Sequence, residues 1–519
     1  MAQQLVQAFG LVILLAVVTA LARRLTLGEL GVYGLTATLA VYLLVFRNSV
    51  GGSAVRLMAG ADGDAARAQA FSTVLPLYAG VSLVTGLAVA AAGAAIAAAV
   101  LDGRLADQAA LGAALLGLVT AAGLFASVNL DAVRAARLAT RSAASELAGL
   151  VAFAILMMSL VLGDAQLWVI IGMSGSLPLL SGVISFVTRR RMVPGYRFVA
   201  GAFSRQALGE LLPTAGWVLA IELSMLVIYG LDRLVLGIFG SPDSIGLYEG
   251  PIRAHNAFYA LSGALGVATL PAAAALRAAG GGERLRRLVV SGSRLSLAAL
   301  VPLCLTVMVL AAPLLEVWLG GRFRSGATAL TVLVSPWLVF GALALTPNFL
   351  VGTGRARATA RVLMAAAGVN LAVSLALTPA LGIEGPAIGT AVGYLVAAPF
   401  LVRVALAAGE VPLAELAREA WLPAYSLGAA LAVLLVVVRA LFDLDSAATL
   451  LPVLLGAPIL YWGAYAAIWL RPAERALLRD LAQSGRSSSP SSAKRGAPES
   501  RAETDGESDG HSMPTSGSS

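Results

Sequence analysis

Lysine, histidine and cysteine are almost missing from this sequence, and charge of either sign is scarce. The single cysteine, Cys304, can form neither an intramolecular disulfide nor a thiolate metal cluster. Lysine occurs once, at Lys494. The isolated Gly352-Thr353-Gly354 therefore lacks the lysine of a phosphate loop, and no strand is expected before it. Histidine occurs only as His255 and His511. Charged residues make up 12% of the chain against 59% hydrophobic, at a mean hydropathy of +0.86, which leaves no room for a sizeable water-soluble domain. The net charge of +8 is almost wholly arginine. Those arginines sit at the ends of apolar runs, so they report membrane topology and attraction to anionic lipid headgroups, not nucleic acid. The arginine bias, with the excess of alanine and glycine, points to a GC-rich genome and not to a mechanism.

What the sequence has in abundance is apolar runs near the ~20 residues that cross a bilayer. Fourteen spans are expected, at roughly 4–23, 28–50, 71–100, 107–128, 143–163, 166–188, 212–239, 250–275, 289–318, 326–351, 358–380, 384–408, 419–440 and 446–470. The third and ninth are long enough to tilt or to extend past the membrane. Arginines gather in every second connection: Arg47, Arg56 and Arg67; Arg134, Arg137 and Arg141; Arg189 to Arg191, Arg197 and Arg205; Arg277, Arg284, Arg286 and Arg287; Arg355, Arg357 and Arg361. The intervening connections are sparse and mostly acidic, with Asp102, Asp107, Asp164, Asp243, Glu384, Asp443 and Asp445. Arginine-rich short loops stay in the cytoplasm, so both termini are expected there. Arg23, Arg24, Arg104, Arg322, Arg324 and Arg439 are the exceptions.

Met1 to Gly10 has no basic lead, so the first span reads as a retained helix and not a cleaved signal. From Ala482 onward the composition turns to serine, glycine, proline and mixed charge, as in a disordered cytoplasmic tail. An internal repeat runs between these ends. Gly31-Val32-Tyr33 opens the second span and Gly246-Leu247-Tyr248 the eighth; Asn129 with Arg137 and Arg141 precedes the fifth, and Asn348 with Arg357 and Arg361 the eleventh. The expected fold is an all-α polytopic membrane protein of about 14 helices. Its parts are a six-helix lobe at 1–205, a second at 206–410, an appended pair at 411–471 and a tail at 472–519.

Several stretches together resemble a known family. They are Leu231-Asp232-Arg233-Leu234-Val235-Leu236-Gly237 running to Gly246-Leu247-Tyr248, Val317-Trp318-Leu319-Gly320-Gly321-Arg322-Phe323, and Asn348 through Gly354-Arg355-Ala356-Arg357, Asn370, Pro379 and Gly382-Ile383-Glu384-Gly385-Pro386-Ala387-Ile388-Gly389-Thr390. In this order they are similar to the oligosaccharide flippase branch of the multidrug/oligosaccharidyl-lipid/polysaccharide (MOP) superfamily. The resemblance spans nearly the whole membrane region. It implies two lobes around an inner cavity, and a secondary transporter that flips a lipid-linked oligosaccharide across the cytoplasmic membrane by alternating access. The implied partners are that glycan lipid, membrane lipids and glycan-assembly proteins; no cofactor, metal or nucleic acid is implied.

Charge inside an apolar run is costly in lipid, so each such residue is a candidate for the cavity. Glu222, Tyr229 and Arg233, spaced seven and four apart, share one helical stripe in the seventh span, with Asp232 about a quarter turn away. Arg253, His255, Asn256 and Tyr259 cluster in the eighth, with Arg253 and Asn256 one turn apart. Arg47, Asn48, Arg56 and Arg294 lie near the cytoplasmic level. Sugar hydroxyls need hydrogen-bond partners, and a linker phosphate suits the guanidinium fork. Structural roles stand beside these: an Asp232–Arg233 ion pair, a neutral Glu222 bonded to another helix, and headgroup contacts for Arg47, Arg56 and Arg294. Two further functions stand open, a peptidoglycan-precursor flippase or drug exporter of the same superfamily, and an integral membrane glycosyltransferase or polymerase. Several arginines disfavour a cationic drug. Short outward loops and two histidines disfavour an enzyme.

Overall fold

The computed structural model describes residues 2–209, 223–224, 226–228, 230–266, 273, 275–277, 279–341, 350–351 and 353–470. Among these every regular element is helical. Residues 1–465 form one compact unit, and 466–519 a second of which 466–470 are described. Nine helical stretches among the described residues are long and apolar enough to cross a membrane, or ten if one bent pair counts as a span. Residues 212–222, 225 and 229 of the expected seventh span, 212–239, and the whole tail after 470 lie outside the described residues.

The first helices are α1 (Ala2–Arg24) and α2 (Leu27–Ala59). They are two helices and not one because Thr26 caps the second. Its hydroxyl accepts from the Glu29 amide at 3.2 Å, while the Glu29 carboxylate accepts from the Thr26 amide at 3.0 Å. This reciprocal box satisfies two amides that the helix start would otherwise strand. Next come α3 (Gly63–Val100), α4 (Gly103–Ala126), α5 (Val128–Ala135) and α6 (Ala139–Leu162). The sixth expected span is a pair, α7 (Leu167–Met173) and α8 (Leu177–Met192), bent by 46°. Pro178, with no amide hydrogen to lose, starts α8.

The second half holds α9 (Asp232–Phe239), α10 (Pro242–Gly266), α11 (Gly282–Val309) and α12 (Ala311–Leu319). After a 3₁₀ turn at Gly321–Gly326 follow α13 (Ala327–Val334) and α14 (Pro336–Phe340). Then come α15 (Ala356–Leu381), α16 (Glu384–Gly409), α17 (Leu413–Leu416), α18 (Leu422–Leu441) and α19 (Ala447–Ile468). Several begin or end beyond the hydropathy boundaries: α2 runs on to Ala59, α3 starts at Gly63, and α10 starts at Pro242 and not near 250. Hydropathy marks where the chain leaves lipid, whereas backbone hydrogen bonding continues into water.

Lipid tails are as apolar as leucine, so helices in a membrane associate through close packing of small residues. Gly385, Gly389 and Gly393 of α16, four residues apart, lie against Thr378, Ser374 and Asn370 of α15, also four apart, and a Cβ at any of them would press on its neighbour. A second close crossing joins α2 to α10. Gly31 meets the Pro242 and Gly246 backbone, Gly246 meets the Leu27 backbone, and Gly34 meets the Glu249 carboxylate. The two repeat motifs, Gly31-Val32-Tyr33 and Gly246-Leu247-Tyr248, thus face each other. Large side chains such as Val84, Leu118 and Ile155 point outward, as a lipid-facing surface requires.

The end of the bundle carrying the acidic connections is tied shut by arginines. Arg23 donates to the Val317 and Trp318 carbonyls at 3.2 and 3.3 Å, and Arg322 to those of Ala22 and Leu25. The Trp318 indole donates to Thr19 Oγ1 at 2.7 Å. Arg24 pairs with Asp164, Arg324 with Glu316 and Asp445, and Arg439 donates to the Val309 carbonyl. Nearly all the exceptions to the arginine rule are thus accounted for by partners at helix ends.

Candidate functional site

A cavity of about 570 Å³ lies between α1, the α4–α5 junction, α6, α8 and α10. Its α1 wall is apolar throughout, formed by Val6, Gly10, Leu11, Leu14, Leu15 and Val18. The facing walls mix apolar residues with Ser127, Arg134, Glu146, Ser181, Arg253, Asn256 and Tyr259. From Arg253 to Gly263 along α10 is ten residues, a depth of about 15 Å at the helical rise. Arg253 stands at the end nearer the closed crossing, and Gly263 at the arginine-rich end.

Arg253 is held from behind. Its Nε donates to Glu249 Oε2 at 3.0 Å, one turn earlier on α10. Glu249 also pairs with Arg233 of α9 through both carboxylate oxygens. Glu249 is 1% exposed, so this carboxylate has no water to solvate it and needs both cations. Among the described residues, the two terminal nitrogens of Arg253 and the amide of Asn256 have no hydrogen-bond partner. Both side chains line the cavity.

The other cation of the cavity is fully engaged. Arg134 bridges Asp131 at 3.1 Å and Glu146 at 2.9 Å, and Asp131 accepts from the Tyr78 hydroxyl at 2.6 Å. The cluster joins α3, α5 and α6.

The remaining candidates from sequence lie elsewhere. Asp232 is buried and accepts from Tyr248 at 2.6 Å and from Thr390 at 3.2 Å, while Asn370 donates to Thr390 at 2.9 Å. These bonds knit α9, α10, α15 and α16 together. Among the described residues the ion pair of Arg233 is with Glu249, not with Asp232, because the Asp232 carboxylate is taken up by Tyr248 and Thr390 while the guanidinium turns to Glu249. His255 turns away from Arg253 and Asn256 into an aromatic cluster. Its Nδ1 lies 2.7 Å from the Leu333 carbonyl, and its ring packs on Trp337 and Tyr394. Arg294 is buried, donates to the Tyr465 hydroxyl at 3.0 Å and lies over that ring. Arg56 is exposed, with Ser53 Oγ at 3.2 Å. None of these five lines the cavity. Arg47 and Asn48 fall on α2, and their side chains, like Glu222 and Tyr229 altogether, lie outside the described residues. Among the described residues no three histidine, cysteine, aspartate or glutamate side chains gather as a metal site.

Three residues of the site were not singled out from sequence. Glu249 fell just before the expected start of the eighth span and so counted as loop. Its signal was the spacing of four to Arg253, which puts both on one helical face. Arg134 read as topology, and Glu146 lies three residues into the expected fifth span.

The family model for polysaccharide biosynthesis proteins matches residues 20–327. The fold is similar to that of the lipid II flippase MurJ in an inward closed conformation, with a TM-score of 0.70 at 12% identity over 92% of this chain and 99% of that one. It is also similar to an inward-facing multidrug resistance MATE transporter of the MOP superfamily, with a TM-score of 0.61 at 15% identity over 79% and 96%. A eukaryotic MATE transporter gives 0.55 at 16% identity over 79% and 95%. No curated protein sequence matches the chain. The helical architecture is that of MurJ and MATE proteins, and with the family model covering more than half of its length the chain belongs to the polysaccharide biosynthesis protein family.

Proposed function

We propose that this protein is a secondary transporter that flips a lipid-linked glycan precursor, joined to its lipid through phosphate or pyrophosphate, across the cytoplasmic membrane by alternating access. The observation that carries this reading is the cavity with one apolar wall on α1 and, opposite it, the open terminal nitrogens of Arg253 beside Asn256. An amphipathic anion needs those surfaces together. The lipid stem lies along the apolar wall, the phosphate oxygens meet a guanidinium fork, and sugar hydroxyls meet Asn256, Tyr259 and Ser181. A cationic drug would meet the wrong sign of charge at Arg253. No covalent bond is made or broken, so the chain acts as a carrier and not an enzyme.

The same reading takes the arginine-rich end as cytoplasmic and both termini as inside. It takes the chain as fourteen spans, in lobes at 1–205 and 206–410 with an appended pair at 411–471. The similarity to MurJ extends over 92% of this chain against 79% for the MATE transporters, which favours a lipid pyrophosphate of the peptidoglycan kind as the second reading for the cargo. The test is the surface glycan of cells lacking the native gene, with the membrane level of each variant measured alongside. Restoration by the native chain and loss with Arg253→Ala is expected. Full restoration by Arg253→Ala and Asn256→Ala together would remove this cavity as the cargo site.

A further inference from the structure

Three things meet at one carboxylate, and each belongs to a different part of the molecule. Arg253 belongs to the cavity, Arg233 belongs to α9, and Gly34 belongs to the α2–α10 crossing that closes the opposite end. Glu249 Oε2 accepts from Arg253 Nε at 3.0 Å, its other oxygen pairs with Arg233, and a Cβ at Gly34 would overlap its carboxylate. The carboxylate has almost no exposure, so it cannot exchange either cation for water.

We propose that Glu249 couples occupancy of the cavity to the sealed α2–α10 crossing, as a positioning residue for Arg253. This rests on the reading of the cavity as the cargo site. The triad of Arg233, Glu249 and Arg253 carries two positive charges and one negative. An anionic cargo on the open nitrogens of Arg253 supplies the second negative charge. Arg253 is then drawn towards the cavity, and Glu249 turns towards Arg233, which no longer shares it. That turn cannot stay local. The carboxylate already fills the space that Gly34 leaves by having no side chain, so its movement presses on the α2 backbone. Gly31 and Gly246 are packed as closely a turn or so further along, so the displacement passes into the whole crossing. Packed interfaces answer such a push by changing arrangement, not by yielding gradually. A cargo bound elsewhere in the cavity, away from Arg253, would leave the crossing unmoved.

The experiment uses the full chain in nanodiscs, with Cys304→Ser and spin labels at Asp102→Cys and Asp243→Cys, two exposed residues of the acidic end. Farnesyl pyrophosphate serves as the anionic lipid probe. Its binding is followed by calorimetry and the label distance by pulsed electron resonance. In the otherwise native chain, saturating probe is expected to shift the distance distribution. Glu249→Gln keeps the shape but not the charge, and is expected to retain probe binding within about tenfold while the distance no longer responds. Gly34→Ala acts on the same contact from α2, pressing on the Glu249 carboxylate while leaving all three charged groups in place. It is expected to shift the distance before any probe is added, which keeps the test decisive even if Glu249→Gln does not fold. A probe that binds through Arg253 without moving the distance, or a Glu249→Gln distance that responds as the native one does, overturns the coupling alone. A Gly34→Ala chain with native distance and native response overturns it too. Probe binding that Arg253→Ala leaves unchanged, or no binding at all, overturns the cargo reading itself.

Discussion

Replacing Arg253 with alanine removes the open guanidinium of the cavity while leaving the carboxylate behind it paired. Glu249 keeps its bonds to Arg233, so no buried charge is stranded and the fold survives. The loss falls on the cargo. Two hydrogen bonds from the terminal nitrogens to phosphate oxygens are each worth about 1.5–3 kcal/mol net when charge-assisted. Taking the low end for a cavity that admits water, their removal costs about 3 kcal/mol, or roughly a hundredfold in affinity. Arg253→Lys keeps the charge but offers a point in place of a fork, and loses about tenfold. Titration of farnesyl pyrophosphate into nanodisc-embedded protein measures both, with the melting temperature as the control for folding. Native affinity in the alanine variant, or full equivalence of lysine and arginine, would falsify the assignment of Arg253 to a phosphate.

Other outcomes follow from the packing and the polar network. Gly246→Ala places a Cβ on the Leu27 backbone and should cost about 1–3 kcal/mol of stability by overpacking. Gly80→Ala, inside α3, meets nothing within 4 Å and should not lower the melting temperature, so equal melting of the two variants would dismiss the crossing as a tight contact. Asp232→Ala leaves the buried Tyr248 hydroxyl without its acceptor and should destabilise by about 1–3 kcal/mol, checked by thermal unfolding in detergent; native stability would show that water replaces the carboxylate. In a Cys304→Ser background, single cysteines at Arg190 and just after Arg471 should resist an impermeant reagent in intact cells and react after lysis. Labelling of either in intact cells would invert the orientation.

Much of the fold was legible because its signals are local. Apolar length marked α4, α6, α15, α16, α18 and α19 to within about a turn and α3 and α11 to within about two and a half, and the spacing of Gly385 and Gly389, part of the family resemblance, proved to lie in a helix crossing. Less legible was what depends on the partner helix. Arg253 and Asn256 could be placed on one face from their spacing, but His255, between them, reaches the Leu333 carbonyl and the Trp337 ring nearly 80 residues away. Asp232 and Arg233 are adjacent in sequence, yet Asp232 meets Tyr248 of α10 and Thr390 of α16 while Arg233 meets Glu249 of α10. Glu249 was hidden by its surroundings: Pro242, Asp243, Ser244 and the glycines lower the hydropathy of a segment that is helical and buried all the same. Arg23, Arg24, Arg322, Arg324 and Arg439, which run against the topology rule, became intelligible only with their carbonyl and carboxylate partners, which a linear reading does not contain.

The central claim is that the cavity carries an anionic lipid-linked glycan from one face of the membrane to the other. Proteoliposomes holding the native chain and a lipid pyrophosphate oligosaccharide test it directly, with an impermeant glycosidase added outside to report how much glycan has become accessible. The account predicts that the native chain brings the protected inner pool into reach of the enzyme, and that Arg253→Ala, folded and present in equal amount, leaves it protected. An inner pool that stays protected with correctly folded native protein, or that becomes accessible equally with Arg253→Ala, would contradict it.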